Sequence, residues 1–238
     1  MDASGVAVLE DVIPATMLAA AREYIAAELV LHDHQYFGLS GREWIAASPL
    51  DALSRSDAFR EILCSLWERQ MHNIAPADDV RASLRVLAGT VGMRHSNLFH
   101  YDSYVVTALV PLLIPDGPND PRGELVVYPN LRNVRRLAIV NIIEKLIVES
   151  ALACWLWRMP MIQRRLSARA VPMEPGHIYF FWGMRSLHAN RACKPEHVRS
   201  TALFHFGDPH ARSLLKRLSA RRHRARLRRL SRAAGSPQ

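Results

Sequence analysis

The sequence predicts a β core, a sandwich or barrel, buttressed by N-terminal helices. Three observations predict it. Up to about residue 75 the apolar positions recur at helical spacing; later segments are mostly short β-branched or aromatic runs between Gly, Pro, Asp and Asn turns; and strands seldom alternate with helices as a parallel βαβ sheet requires. At 238 residues the chain can bury one real core and is short for two enzyme domains. With 49% hydrophobic and 22% charged residues it is neither disordered nor of low complexity. Cys64, Cys154 and Cys193 form neither a disulfide framework nor a CxxC ladder, and the first five residues hold an acid and no basic run. A cytoplasmic protein without a secretory leader is the expectation.

Residues 6–9 read as a short strand. A helix follows over 15–31, with Pro14 beside its first turn, where a missing N–H costs nothing. A polar loop holds His32, His34, Gly38 and Gly41. A second helical region over 51–72 places Phe59, Ile62, Leu63, Leu66 and Trp67 at helical spacing. After Pro76 the period becomes that of strands, near 84–87, 97–101, 104–114 and 124–128, with a long loop at 115–123. Residues 131–170 form a helical insertion, and strands return near 171, 178–182, 187–189 and 201–206. No repeat, Gly-rich phosphate loop or nucleophile elbow is present.

Charge is concentrated in two places. Residues 211–238 hold ten Arg or Lys and no acid, leaving 21 bases against 22 acids in the rest; residues 131–170 hold eight bases against Glu144 and Glu149. Both segments suit an anionic surface. In the tail Leu214, Leu215, Leu218, Leu227 and Leu230 recur between arginines, the pattern of an amphipathic interfacial helix and equally of a solvated terminal one. Aromatics are absent there, so a base-stacking nucleic-acid site is disfavoured. The insertion resembles a membrane span until Asn141, Glu144, Lys145 and Glu149 are noticed: a charge at the bilayer centre costs about 2.5 to 3.5 kcal/mol. Leu137, Val140, Ile143, Leu146, Ile147, Leu152 and Trp155 therefore either pack on the body or rest on a lipid surface.

His100 and Asp102 stand two residues apart in an extended run, so they share one face of it. A third ligand must come from elsewhere, and His188, following the apolar run 178–182, is the strongest candidate. Two imidazoles and one carboxylate bind one face of iron(II) and leave positions open; the same set holds zinc with a water. Alone, such a pair is a weak signal among 11 histidines and 22 acids. Order strengthens it. Arg199 begins a further apolar strand, with Thr201 beside it on the same face, and a buried guanidinium there calls for a carboxylate. His95, His177, His205 and His210 are read as packing residues or as supports behind the ligands, and His32, Asp33 and His34 as a surface loop. Tyr101 points to the opposite face; Tyr128 and Trp182 either line the pocket or pack in the core.

Taken in order, these residues resemble the iron(II) and 2-oxoglutarate dependent oxygenase superfamily over residues 84–206. The HxD pair matches His100 and Asp102, the distal histidine His188, and the basic residue about ten places onward Arg199, with Thr201 at the usual hydroxyl position. Gly123-Glu124-Leu125 and Pro175-Gly176-His177 match two turns into core strands. The resemblance implies a mostly β fold with a double-stranded β-helix, or jelly roll, core; Fe(2+), 2-oxoglutarate and O2 as metal and co-substrates; and His100, Asp102 and His188 as both metal ligands and catalytic centre. Arg199 and Thr201 would bind 2-oxoglutarate. It implies decarboxylation to succinate coupled to hydroxylation, since Asp102 stands where chlorinating relatives carry a small residue. One oxygenase domain over 1–210, with helical support at 1–75, a β core at about 84–206 and a basic tail at 211–238, is expected. The substrate is expected to be small or lipid-linked, at the inner face of a membrane if the basic segments dock there. A cupin-like metal hydrolase or isomerase and a non-catalytic membrane-surface binding protein are the alternatives.

Overall fold

The structure is a computed structural model describing residues 1–77, 80–116, 122–211 and 213. Its strands are β1 (Val6–Leu9), β2 (Phe37–Ser40), β3 (Arg81–Leu87), β4 (Val106–Leu113), β5 (Leu125–Tyr128), β6 (Arg169–Val171), β7 (Ile178–Trp182), β8 (Leu187–Asn190) and β9 (Arg199–Phe206). They pair into a six-stranded sheet in the order β1-β7-β4-β9-β3-β2 and a three-stranded sheet in the order β6-β5-β8, antiparallel throughout.

β4 shows why the sheets are arranged so. It is buried along nearly its whole length, and a strand apolar on both faces must be covered on both. Val106, Ala108, Val110 and Leu112 pack with Ile25 and Leu29 of helix α1 (Ala15–Leu31). Phe59, Leu63 and Trp67 belong to the same cluster; they come from a helix over 57–71. Leu109 faces the other way, in a cluster with Phe181 of β7 and with Leu125 and Val127 of the small sheet. Helices thus brace one face of the large sheet, and the small sheet covers the other.

The expectation of a mostly β chain is corrected. Helix and strand are mixed, and among the described residues no strand pairing closes the two sheets into a barrel. The loop expected after α1 contains β2, which Gly38 and Ser40 hid, and helix α2 (Arg42–Ala47). The second helical region is broken: α3 (Asp51–Ser54) ends before Ser56, whose hydroxyl accepts from the Phe59 amide and starts α4 (Asp57–Met71). A short helix, α5 (Gly89–Arg94), precedes the stretch expected as a strand at 97–101, which makes one bridge only.

The insertion folds as α6 (Ala138–Val148), α7 (Ala151–Arg158), α8 (Pro160–Arg165) and then β6. Its anchor is Arg132. Buried, this guanidinium lies 3.8 Å from the Tyr101 ring centre and donates to Met184 O (2.7 Å), Glu144 (2.6 Å) and Asn141 (2.7 Å). No helix among the described residues is long and apolar enough to cross a membrane. The basic tail expected at 211–238 lies, apart from residues 211 and 213, outside the described residues.

Candidate metal centre

His188 sits in β8, whose four residues are all buried between its neighbour β5 and the segment leading to β4. That segment is held to β8 by a single bridge. The His100 amide donates to His188 O (3.0 Å) and the His188 amide to His100 O (3.1 Å). Two residues on, the Asp102 amide donates to Gly183 O (2.9 Å). The extended backbone puts His100 and Asp102 on one side and Tyr101 on the other, where Tyr101 packs with Phe99 and Tyr128. A side chain at Gly183 would strike the Asp102 carboxylate and the Thr107 hydroxyl, so only glycine lets the backbone come this close.

The three side chains converge. His100 Nε2 lies 3.8 Å from Asp102 Oδ1 and His188 Nε2 lies 3.6 Å from Asp102 Oδ2, and one ligating atom from each residue lies within 4.8 Å of the others. These gaps are wider than hydrogen bonds and leave room for one ion. His100 Nδ1 lies 2.8 Å from Leu98 O, and His188 Nδ1 lies 3.0 Å from Ser186 O. A carbonyl only accepts, so both Nδ1 atoms carry the proton and both Nε2 lone pairs face the gap. Burial lowers the pKa of both rings, aided for His100 by neighbouring His188, which keeps them neutral and able to ligate. Burial works against ionisation of Asp102, but His188, His205, His100 and the Thr107 hydroxyl outweigh it and hold the carboxyl well below its usual range. Neutral imidazoles, an ionised carboxylate and aligned lone pairs fit a divalent ion.

A narrow cavity between the sheets contains His100 and His188 together with Arg199, Thr201 and Arg85. Arg199, Thr201 and Leu203 line it because alternate residues of β9 share a face, while Ala202, Phe204 and Phe206 enter the helix-covered core. Arg199 is 1% exposed, its Nε has no hydrogen-bond partner, and desolvation pulls its pKa down to about 10. A cation so placed suits an anionic partner, because a desolvated guanidinium is costly without one. Gly123, at φ +71, makes room: a side chain there would collide with Arg199.

Two residues of this site escaped sequence reasoning. Arg85 of β3 lies across the ladder from Thr201 and borders both the narrow cavity and a wider cleft of about 360 Å³ lined by Leu98, His100, Glu149 and Cys154. It is a basic residue in an apolar strand, the same signal that singled out Arg199. Thr107 gave no signal. Its hydroxyl donates to Asp102 Oδ2 (2.5 Å) and accepts from His205 Nδ1 (3.1 Å). His205 thus braces Asp102 through Thr107. Thr107→Val should weaken metal affinity by about 10- to 100-fold, the usual cost of losing a partner behind a ligand, as read by competition with a metal chelator. Of the other histidines, His95 stacks on Tyr36 and lines the wider cleft, while His177 contacts Asp11, His32 contacts Glu28, and His210 meets Arg135 O.

No family model and no curated protein matches the sequence. Solved structures do match the fold. A prolyl 4-hydroxylase from Phytophthora capsici superposes with a TM-score of 0.54 at 18% identity, covering 88% of this chain and 60% of that one. A prolyl hydroxylase from Trichoplax adhaerens, in complex with a hypoxia inducible factor peptide fragment, gives 0.55 at 12% identity over 89% of this chain and 87% of its own. HygX from Streptomyces hygroscopicus, with nickel and 2-oxoglutarate bound, gives 0.55 at 14% identity over 87% and 83%. The chain therefore has the fold of these proteins, spans about 60% of the length of the first, and carries a two-histidine, one-carboxylate cluster in it.

Proposed function

We propose that the chain is an iron(II) and 2-oxoglutarate dependent dioxygenase that hydroxylates an unactivated C–H bond of a small or lipid-linked anionic substrate, releasing succinate and carbon dioxide. One observation carries this reading: His100, Asp102 and His188 converge, and the buried Arg199, whose Nε has no hydrogen-bond partner, lines the same cavity. In this reading residues 1–210 form one oxygenase domain, its facing sheets serve as the double-stranded β-helix, and 211–238 is a basic appendage. This reading has the protein act in the cytoplasm, at the inner face of a membrane if its substrate is lipid-linked.

Iron, when bound, would supply the oxygen activation that no side chain offers. The chain's own residues do the rest. The two histidines and Asp102 would hold the ion, each through one ligating atom. Arg199 takes the far carboxylate of the 2-oxo acid, with the Thr201 hydroxyl beside it, and so fixes which end faces the metal. Leu109, Leu125 and Phe181 wall the narrow cavity with apolar surface and exclude water. Arg85, half-buried where that cavity meets the cleft, orients an anionic group of the substrate.

The test is succinate release from 2-oxoglutarate in stoichiometry with oxidised product, dependent on added iron(II), across lipid, sugar and amino acid candidates. Product formed without 2-oxoglutarate would overturn the reading in favour of a cupin-like metal enzyme. Arg85→Ala should raise KM for the anionic substrate by about tenfold or more while metal affinity stays unchanged.

A further inference from the structure

α6 is turned inside out. A helix on a water-soluble body buries its apolar stripe and shows its charges. Here Asn141, Glu144 and Lys145 face inward: Asn141 is buried, Glu144 pairs with Arg132 and Arg135, and Lys145 donates to Ser103 Oγ (3.2 Å). The outward stripe is aliphatic, with Ile143 50%, Leu146 68% and Ile147 63% exposed. α7 repeats the arrangement. Cys154 and Trp157 pack inward, while Leu152 and Trp155 stand 69% and 57% exposed. Such a surface costs free energy in water unless something covers it.

Charge says what covers it. Arg136, Arg158, Arg164 and Arg165 are exposed on the same insertion, and its one acid besides the engaged Glu144 is Glu149. A second copy would set this basic rim against itself. An anionic lipid surface satisfies both features, accepting aliphatic side chains below the headgroups and arginines among them.

We infer that α6, α7 and α8 form a docking face that seats the protein on an anionic lipid bilayer. Glu149 and Cys154, at the α6–α7 junction, line the cleft that contains His100, as does Leu98, itself 47% exposed. Docking therefore brings the mouth of the candidate metal site beside the lipid. That the substrate is itself lipid-borne rests on the oxygenase reading; the docking does not.

The full chain is tested by sedimentation with vesicles of phosphatidylglycerol and phosphatidylcholine, and with vesicles of phosphatidylcholine alone. Wild type should bind the anionic vesicles and not the neutral ones. Ile143→Glu with Leu146→Glu should lower that affinity at least tenfold, and Arg164→Gln with Arg165→Gln by about fivefold per arginine, each variant keeping the wild-type circular dichroism spectrum. His100→Ala should bind vesicles as wild type does, so docking and the metal reading fail separately. Absence of wild-type binding overturns the proposal. So does binding indifferent to both pairs of substitutions, which would assign it to the tail, or a wild-type dimer that the Ile143 and Leu146 substitutions dissociate.

Discussion

Asp102→Ala should give a folded protein that no longer holds its metal. The carboxylate is the one anion among the three convergent ligands, and two neutral imidazoles alone bind a hard divalent ion poorly. Replacing a supporting partner already costs about 10- to 100-fold in metal affinity, so loss of the ligand itself should cost ~100-fold or more. Product formation should fall with it. The fold should survive, because alanine leaves no buried charge behind: Thr107 keeps His205 as its partner, and both imidazoles keep their backbone acceptors. Calorimetric titration with iron(II) under nitrogen, beside a thermal melt of the metal-free protein, separates the two effects. An Asp102→Ala protein that binds iron as tightly as wild type would remove the metal centre from the account.

Arg199→Met should move two quantities in opposite directions. Methionine fills much the same volume and carries no charge, so the metal-free, ligand-free protein should be as stable as wild type or more so by ~1 kcal/mol or above, since a lone desolvated guanidinium is costly. Binding of 2-oxoglutarate should weaken by about 2 to 5 kcal/mol, at least ~30-fold, because its far carboxylate would enter the cavity unpaired. Thermal shift with and without 2-oxoglutarate reads both. A variant that is destabilised yet still stabilised normally by the 2-oxo acid would refute the assignment of Arg199.

The parts legible in the sequence were those in which residue type and period agree. β1, α1 and β7 fall where the apolar spacing put them, and β5 and β8 fall within a residue of it; β5, β7 and β8 each bury their whole run, whereas β1 is a half-exposed strand at the sheet edge. β2 was hidden because Gly38 and Ser40 carry turn chemistry and only pairing with β3 makes the segment a strand. The stretch from Asn97 to Tyr101 looked like a strand for the reverse reason: its residues favour extension, but it meets β8 only through one bridge at His100 and the Asn97 amide on Asn190 O, short of a ladder.

The candidate site divides in the same way. His100, Asp102, His188 and Arg199 were visible because each is a polar group in apolar surroundings. Thr107 was not, since a threonine at a strand start is ordinary until the fold brings Asp102 and His205 to either side of it. The insertion left two readings open in the sequence, packing on the body or resting on lipid. The inward turn of Glu144 and Lys145, which depends on Arg132 being buried beneath α6, leaves the aliphatic stripe exposed instead of packed on the body.

The lone backbone bridge between His100 and His188 has a bearing on how the centre assembles. Two stretches of chain far apart in sequence meet there through a pair of amide contacts, with the Asn97 amide on Asn190 O (2.7 Å) beside them and no continuous ladder among the described residues. An ion gripped by both imidazoles would act as a clasp across that seam, tightening 97–102 against β8. Occupancy and local order would then rise and fall together, and the emptied protein would loosen first beside its own entrance.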